Sequence, residues 1–255
     1  AKDANSTRIQ RLLFLNLAAQ EKWPQARAAA EKFFAMDVAA DRNNRFTATD
    51  YTTYADVLKK LGEDSLAVMQ VEKAYEANPD KTDLLKDLSS AYYNAKDYAK
   101  AAQAYQQFVD AGTYKTNDLY VLAGRYMTLA ASLPQDSPEK AQAVENALKN
   151  VDAVLAKVPD DYRIAQRKAR IYVVANNNTP SLQSTDVYGK VLEILDADPT
   201  NVDKHVDDYR EAYNMIATYY IQQHDNANAK VYYNKMLELD PTNDALRSYI
   251  ENLKD

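Results

Sequence analysis

The chain has 255 residues, of which 46% are hydrophobic and 27% charged, an apolar share that predicts a folded protein and excludes an intrinsically disordered one. Its net charge of -6 at pH 7 argues against generic affinity for nucleic acid or for an anionic membrane surface. The absence of cysteine excludes disulfides, thiolate metal sites and a cysteine nucleophile. No window approaches the ~18 consecutive apolar residues of a membrane span.

Proline-containing segments recur along the chain at related spacings. The sequence DPTN occurs at 198–201 and again at 240–243, and further prolines stand at Pro79 and Pro159. The intervals are 80, 40 and 42 residues, each one or two units of about 34 residues plus a short insertion. A period of this length is typical of a two-helix repeat that stacks into a solenoid, which presents a binding surface.

Apolar and aromatic residues within each unit recur at helical spacing, and no alternating run predicts a strand. In chain order the first helices carry Leu13, Phe14 and Leu17; Tyr51, Tyr54, Ala55 and Leu58; Leu85, Leu88, Ser89 and Tyr92; Leu119, Leu122, Ala123 and Tyr126; Ala165, Ala169 and Tyr172; and Tyr213, Ile216, Ala217 and Tyr220. The second helices carry Ala26, Ala30 and Phe33; Ala67, Val71 and Ala74; Tyr98, Ala101, Tyr105 and Phe108; Ala147, Val151 and Val154; Val187, Val191 and Ile194; and Ala229, Tyr233 and Met236.

The periodicity predicts an all-α chain that forms an α-α superhelix of about six helical hairpins and a C-terminal capping helix. We predict one domain over residues 1–255, with repeats at approximately 7–40, 48–81, 82–115, 116–161, 162–201 and 210–243, and a cap at 244–255. Tight turns between paired helices are predicted at Gly62, at Lys96-Asp97 and around His224.

Small residues at fixed places of the repeat allow close approach of the helices. The eighth place holds Ala55, Ser89, Ala123, Ala169 and Ala217, and the twentieth holds Ala67, Ala101 and Ala229. With the aromatic residues and the late proline, this pattern resembles the tetratricopeptide repeat family over nearly the whole chain. Lys168 departs from it, because that place is usually apolar in the family.

No arrangement of residues predicts catalysis, a cofactor or a metal site. The two histidines, His205 and His224, are 19 residues apart without ligand spacing, and we interpret both as exposed turn residues. The acidic pairs at 160–161 and 207–208 fall at helix starts, where carboxylates favour the positive end of the helix dipole. Paired tyrosines are interpreted as core and rim packing rather than as a stacking platform for bases or sugars. We therefore expect a protein without enzymatic activity.

The resemblance implies that the first helices line a concave groove for an extended peptide or a partner helix. Within the fifth unit, three arginines share one helical stripe at i, i+4 and i+7. One reading is a fork for a carboxylate or an acidic peptide, and the other is a solvated stripe paired with acids such as Asp118 or Glu211. The predicted groove residues are Arg163, Arg167, Arg170, Tyr120, Met127, Asn214, Met215 and Tyr93.

Some members of the family use lysine and asparagine side chains to clamp the carboxylates of chaperone tails. The corresponding places here are Thr52 and Asp56 in the second unit, and Lys86 and Ser90 in the third. Because that clamp is incomplete, the resemblance does not extend to binding of chaperone tails.

The function predicted from the sequence is a protein-protein interaction scaffold that binds a peptide or a partner segment in the concave groove. The alternative is a structural subunit of a bacterial cell-envelope or outer-membrane assembly complex, joined through its convex face or its ends. The style of the exposed tyrosines and asparagine-rich loops favours a periplasmic or cell-envelope location, with the cytoplasm as the other possibility. The expected partners are proteins or peptides, and nucleic acid and cofactors are not expected.

Overall fold

Helices make up the regular structure of the computed structural model, which describes residues 6–36, 45–198 and 200–253, and no strand occurs in those ranges. The helices are α1 Thr7–Ala19, α2 Trp23–Phe34, α3 Ala48–Lys60, α4 Asp64–Ala77, α5 Leu84–Asn94, α6 Tyr98–Asp110, α7 Thr116–Ser132, α8 Pro138–Leu155, α9 Tyr162–Ala175, α10 Leu182–Asp196, α11 Asn201–Lys204, α12 Val206–Gln222, α13 Asn226–Leu239 and α14 Asp244–Asn252. The predicted all-α fold of helical hairpins is confirmed. Pro199, the end of the first predicted repeat at 37–40 and the last two residues of the cap lie outside the described residues.

Four of the hairpins share one kind of tight turn. Glu21, Gly62, Lys96 and His224 each have a positive φ, between 55° and 77°. The residue after each one donates its backbone N–H to the carbonyl five residues earlier, as Glu63 does to Leu58 over 2.9 Å. This is the capping motif that satisfies carbonyls at a helix end, and it requires one residue in the left-handed conformation. Of these four turns, only the one at Gly62 has a glycine there, which adopts that conformation without steric cost.

The chain forms two compact units, residues 1–114 and 115–255. The first unit contains α1 to α6, and its core is built around fully buried Phe14 and Phe33. Tyr54 of α3 meets the Phe14 ring edge-on, with ring centres 6.2 Å apart. In α5 the small residue at the eighth place allows the predicted close approach of the paired helices. Buried Ser89 donates its hydroxyl to the Ala101 carbonyl of α6 over 2.7 Å.

The second unit contains α7 to α14, with a core that includes fully buried Ala169, Tyr188 and Ile216. Lys168 reaches Asp152 of α8 with 2.7 Å between Nζ and Oδ1, which accounts for a charged residue at a usually apolar place. At the C-terminal end, Leu246 and Ile250 of α14 and the following Leu253 pack against α12 and α13.

The sixth hairpin begins earlier than the sequence indicates. Its first helix, α12, starts at Val206 rather than near Arg210, and the short helix α11 precedes it. Asp207 and Asp208 lie in the first turn of α12, where their charges favour the positive end of the helix dipole. The structure divides the chain into two compact units, and the predicted division into six repeats of one domain stays a prediction.

Candidate functional site

The first arginine of the predicted stripe is paired with its own helix cap. Asp161 caps α9 and accepts two side-chain hydrogen bonds from Arg163, with Nε–Oδ1 at 2.9 Å and Nη2–Oδ2 at 2.7 Å. These hydrogen bonds hold the pKa of Asp161 below its usual value and raise the pKa of Arg163. The Arg163 side chain remains 67% exposed, so a ligand carboxylate would compete with Asp161 for the same guanidinium.

The second arginine lies against α7. Arg167 donates from Nη2 to the Tyr120 hydroxyl over 2.9 Å, and its guanidinium carbon stands 4.4 Å from the centre of the Tyr120 ring. A Cβ built on Gly124 would come within 2.6 Å of Arg167 Nη1. The absence of a side chain at Gly124 therefore gives the guanidinium its position. Arg167 and Tyr120, both predicted as groove residues, are in direct contact.

The third arginine joins α9 to α12 through Glu211. Arg170 donates to both carboxylate oxygens of Glu211, from Nε to Oε1 over 2.7 Å, and Nη2 donates to Oε2. Buried Gln166 and fully buried Tyr188 donate to the same carboxylate over 3.3 Å and 2.7 Å. Glu211 raises the pKa of Arg170, and burial, together with Glu211, raises the pKa of Tyr188. The reading of a stripe paired with nearby acids is thus what the structure shows for Arg170.

One turn earlier along the same two helices lies a further polar contact. The Tyr162 hydroxyl is 3.1 Å from both Asp208 Oδ2 and His205 Nδ1, and that histidine nitrogen is 3.3 Å from Asp208 Oδ2. The interpretation of His205 as an exposed turn residue is wrong, because its ring is half-buried against Tyr162. His224 is exposed in a turn, as predicted.

The remaining predicted groove residues have diverse surroundings. Asn214 is exposed on α12, whereas Met215 is half-buried against the core of the second unit. Met127 is half-buried on α7. Tyr93 belongs to the first unit, where its ring packs edge-on against Tyr98 with centres 5.4 Å apart. The assignment of these residues to a peptide groove stays a prediction.

The first unit contains an open pocket between its first helices. This acidic pocket, of about 230 Å³, is formed by side chains of α3, α4 and α5. Its floor, taken as the buried lining residues, includes Ala55 and Ala67 at the close-approach places of the repeat. Its rim, taken as the half-buried and exposed lining residues, is mostly polar. The lining residues are Thr52, Ala55, Asp56, Lys59, Asp64, Ala67, Val71, Asp87, Ser90, Ala91 and Asn94.

Negative charge dominates the lining of the acidic pocket. Three carboxylates, those of Asp56, Asp64 and Asp87, face the single ammonium of Lys59. Partial loss of hydration, followed by the charge of Asp56, raises the pKa of Asp87. Among the described residues, neither Asp56 nor Asp87 has a side-chain hydrogen bond or an ion pair. The carboxylates of this pocket are therefore available to a ligand.

A second pocket of the first unit adjoins the acidic one. This apolar pocket, of about 330 Å³, is lined by Leu15, Ala18 and Ala19 of α1, Trp23 of α2, and Thr53, Asp56 and Val57 of α3. Asp56 borders both pockets. The sequence analysis missed this site, although the clamp comparison had selected Thr52, Asp56 and Ser90, all of which line the acidic pocket. Their short or acidic side chains were the available signal, together with the only tryptophan of the chain.

The described residues show neither a metal site nor a membrane span. No group of three or more histidine or acidic side chains in this part of the chain is arranged to hold a metal ion. None of its helices combines the length and the hydropathy needed to cross a bilayer.

Comparisons with known proteins bear on the fold. The family model of the tetratricopeptide repeat matches residues 211–243. The C-terminal part of a TPR repeat-containing protein from Cytophaga hutchinsonii superimposes with a TM-score of 0.69 and 23% identity, over 97% of this chain and 88% of that one. MamA from Desulfovibrio magneticus RS-1 superimposes with a TM-score of 0.55 and 14% identity, over 77% of this chain and 97% of that one. YrrB, described as a TPR protein with an unusual peptide-binding site, superimposes with a TM-score of 0.54 and 15% identity, over 84% of this chain and 97% of that one. No curated protein matches the sequence.

Proposed function

We propose that this chain, which contains a tetratricopeptide repeat and has the fold of TPR proteins, is a non-enzymatic scaffold that binds a partner segment along the first helices of its first unit. One observation carries the proposal. The acidic pocket is open between α3 and α5 and is lined by polar groups from both helices, so a chain lying across them would contact consecutive repeats. Pockets with a few convergent polar groups are the usual places for ligands.

The chemistry of the pocket favours binding over catalysis. Its polar groups are carboxylates, hydroxyls, an amide and one ammonium, without a histidine or a thiol that would activate a nucleophile. Asp56 and Asp87 repel each other, and among the described residues they are not part of a group of three or more acidic or histidine side chains arranged to hold a metal ion. The solved structure of YrrB supports the proposal in general terms, because it is described as having a peptide-binding site on a similar fold.

The predicted preference for an acidic partner at the arginine stripe remains a separate proposal. Binding of a carboxylate by Arg163 or Arg170 would require it to replace Asp161 or Glu211, each already in a bidentate contact. The variant Arg163→Glu, Arg167→Glu, Arg170→Glu tests it. Loss of a captured partner with retained helicity would support that groove, and unchanged capture would reject it.

A peptide selection on the full chain tests the proposed function. Random decapeptides displayed on phage are selected on the immobilised protein, and the enriched peptides are then measured against Thr52→Trp, which fills the acidic pocket from α3. The control is Ser65→Trp, on an exposed position of α4 that does not line the pocket. We expect the first variant to weaken binding at least tenfold and the control to leave it within twofold. Enrichment of no peptide sensitive to Thr52→Trp would contradict the proposal.

The second candidate function is assembly into a larger complex through the end of the first unit. On α1, Ile9, Leu12 and Leu13 are 39%, 57% and 45% exposed. Leu13 also lines an open, mainly apolar groove of about 630 Å³ with Leu17, Ala28, Ala29 and Met36. Apolar side chains exposed side by side favour a protein contact. An envelope location belongs to this second proposal.

Paired substitution of the exposed leucines tests the assembly proposal. Leu12→Ser with Leu13→Ser removes apolar surface and leaves the buried Phe14 in place. Co-purification from cells should lose the assembly partners, while the peptide binding of the wild-type chain is retained. Retention of every partner by the variant would reject this surface.

A further inference from the structure

Resting on the proposed function, we infer that the partner segment presents a lysine or arginine side chain to the acidic pocket and, beside it, an apolar side chain to the apolar pocket. This specificity is for a basic partner, whereas the arginine stripe predicts an acidic one. It follows from the charge of one pocket, the lining of the other and the residue that they share.

Charge complementarity identifies the first side chain. Asp56 and Asp87 come from neighbouring first helices, and the charge of Asp56 helps to raise the pKa of Asp87. Asp83, whose side chain is paired with Lys86, adds to the negative surroundings, whereas Lys81 and Lys86 offset them only in part. A cationic side chain between the two carboxylates would attract both and would also relieve their mutual repulsion. A neutral side chain would not relieve that repulsion, and an acidic one would add to it.

The hydrogen-bonding groups of the acidic pocket agree with a cationic occupant. Besides the carboxylates, the rim carries the Asn94 amide and the hydroxyls of Thr52 and Ser90. Ser90 and Thr52 already donate to carbonyls of their own helices, the Ser90 hydroxyl to Lys86 over 2.9 Å and the Thr52 hydroxyl to Thr49 over 3.2 Å. A hydroxyl that has donated its proton can act towards a further group only as an acceptor. Arginine and lysine offer only donors, whereas a carboxylate offers only acceptors.

The apolar pocket identifies the second side chain. Most of its walls are apolar, from aliphatic residues of α1, Val57 of α3 and the indole of Trp23, and Thr53 and Asp56 complete the lining. The ammonium of Lys60 is 5.9 Å from the centre of that ring, within the range of a cation–π contact. A volume of about 330 Å³ is at the small end of ligand pockets, which span ~300–1,000 Å³, and suits one branched or aromatic side chain. Tryptophan is enriched among the residues that dominate binding energy at interfaces.

The shared residue limits the distance between the two side chains. Asp56 lines both pockets, so the basic and apolar residues of the partner must be close along its chain.

A bound divalent cation is the competing occupant of the acidic pocket. It is disfavoured because no third acidic or histidine ligand is arranged with Asp56 and Asp87 in the described part of the chain.

Blocked octapeptides titrated into the full chain test the inference. Each has one leucine and one arginine, separated by zero to three residues, in a glycine-serine background, and binding is measured by fluorescence anisotropy of an attached dye. The matched peptides replace arginine by glutamate or leucine by serine. At one separation or more, we expect the leucine-arginine peptide to bind at least tenfold more tightly than its glutamate counterpart, and the difference to shrink as salt is added.

Variants locate the effect. Asp56→Asn with Asp87→Asn should weaken the leucine-arginine peptide at least tenfold, whereas Glu76→Gln with Asp80→Asn removes the same charge from exposed positions outside both pockets and should change binding less than twofold. Ala19→Trp, at an exposed residue that lines the apolar pocket, should remove the advantage of leucine over serine and keep that of arginine. Circular dichroism confirms that each variant is folded.

The outcomes separate the inference from the function on which it rests. Equal binding of the arginine and glutamate peptides, or equal weakening by the pocket and control variants, would overturn the inference. If phage selection still yields peptides sensitive to Thr52→Trp, the scaffold function stands without this specificity. If calcium chloride displaces the peptide at micromolar concentration, the pocket is a cation site and the inference is rejected.

Discussion

Two carboxylates on first helices, Glu211 of α12 and Asp87 of α5, have opposite surroundings. Glu211 accepts hydrogen bonds from Arg170, Gln166 and Tyr188, which belong to the preceding hairpin. Asp87 instead lines an open pocket with a second carboxylate, that of Asp56. Equivalent helices of the two units thus use acidic groups in different ways. In the second unit they hold neighbouring helices together, and in the first unit they face a space that a ligand can enter.

The difference comes from the length of the side chains on the preceding helix. Along α9, long side chains stand at positions 162, 166 and 170, and each reaches α12. Along α3, the residues that face α5 include Thr52 and Asp56, which are too short to fill the space over the small floor residues. A side chain that crosses between helices contributes stability, whereas a short one leaves a pocket.

Removal of Glu211 should have the largest effect on stability. Glu211→Ala leaves the fully buried Tyr188 hydroxyl without its acceptor and Arg170 without its partner. An unsatisfied buried polar group costs ~1–3 kcal/mol, and we expect a loss of about 3 kcal/mol in the free energy of unfolding of the second unit. Urea unfolding followed by circular dichroism measures it. Glu193→Ala, at an exposed position of α10, is the control, and an equal loss in both variants would contradict the account.

The contact between α7 and α9 should show a smaller coupling. Gly124→Ala gains about 1 kcal/mol from helix propensity but displaces the Arg167 guanidinium from Tyr120. In an Arg167→Ala background the alanine should keep the whole gain. A double-mutant cycle on unfolding free energies should therefore give a coupling of about 0.5–1 kcal/mol between Gly124 and Arg167. Additive effects would mean that Gly124 does not position the guanidinium.

Removal of a pocket carboxylate should leave stability nearly unchanged. Asp87→Asn removes a charge that Asp56 repels and breaks no hydrogen bond or ion pair that the described residues provide. We expect the free energy of unfolding to stay within about 0.5 kcal/mol of wild type, with any change towards greater stability. Denaturant midpoints of the two proteins measure it, and a loss comparable to that of Glu211→Ala would remove the contrast between the units.

The pH dependence of two aspartates should differ in direction. The pKa of Asp87 is raised, so its charge opposes folding, and stability is gained as pH falls through this raised pKa. The pKa of Asp161 is lowered by Arg163, so its contribution is present above the unfolded pKa and is lost as pH falls through the lowered folded value. Carbon-detected NMR titration of the side-chain carboxyls should place Asp87 above Asp161. The reverse order would contradict both assignments.

The sequence was sufficient for the hairpins because their signals are local. Helical spacing identified the buried faces that contain Tyr54, Ala169 and Ile216, and all three are in the cores. The start of α12 was missed because a short helix fills the link before it. At the candidate sites, prediction failed where contacts depend on the separation of neighbouring helices. Periodicity places Arg170 and Asp56 on a face, but only the packing shows that one reaches Glu211 and the other borders an open pocket.

Chemical-shift mapping tests the contrast between the units most directly. A blocked leucine-arginine octapeptide is titrated into the isotopically labelled full chain, and backbone amide shifts are followed by TROSY spectroscopy. The account predicts saturable shifts concentrated in α3 and α5, around Asp56 and Asp87, with α9 and α12 unchanged. Shifts centred on Arg163, Arg167 and Arg170, or absence of saturable shifts in α3 and α5, would contradict it.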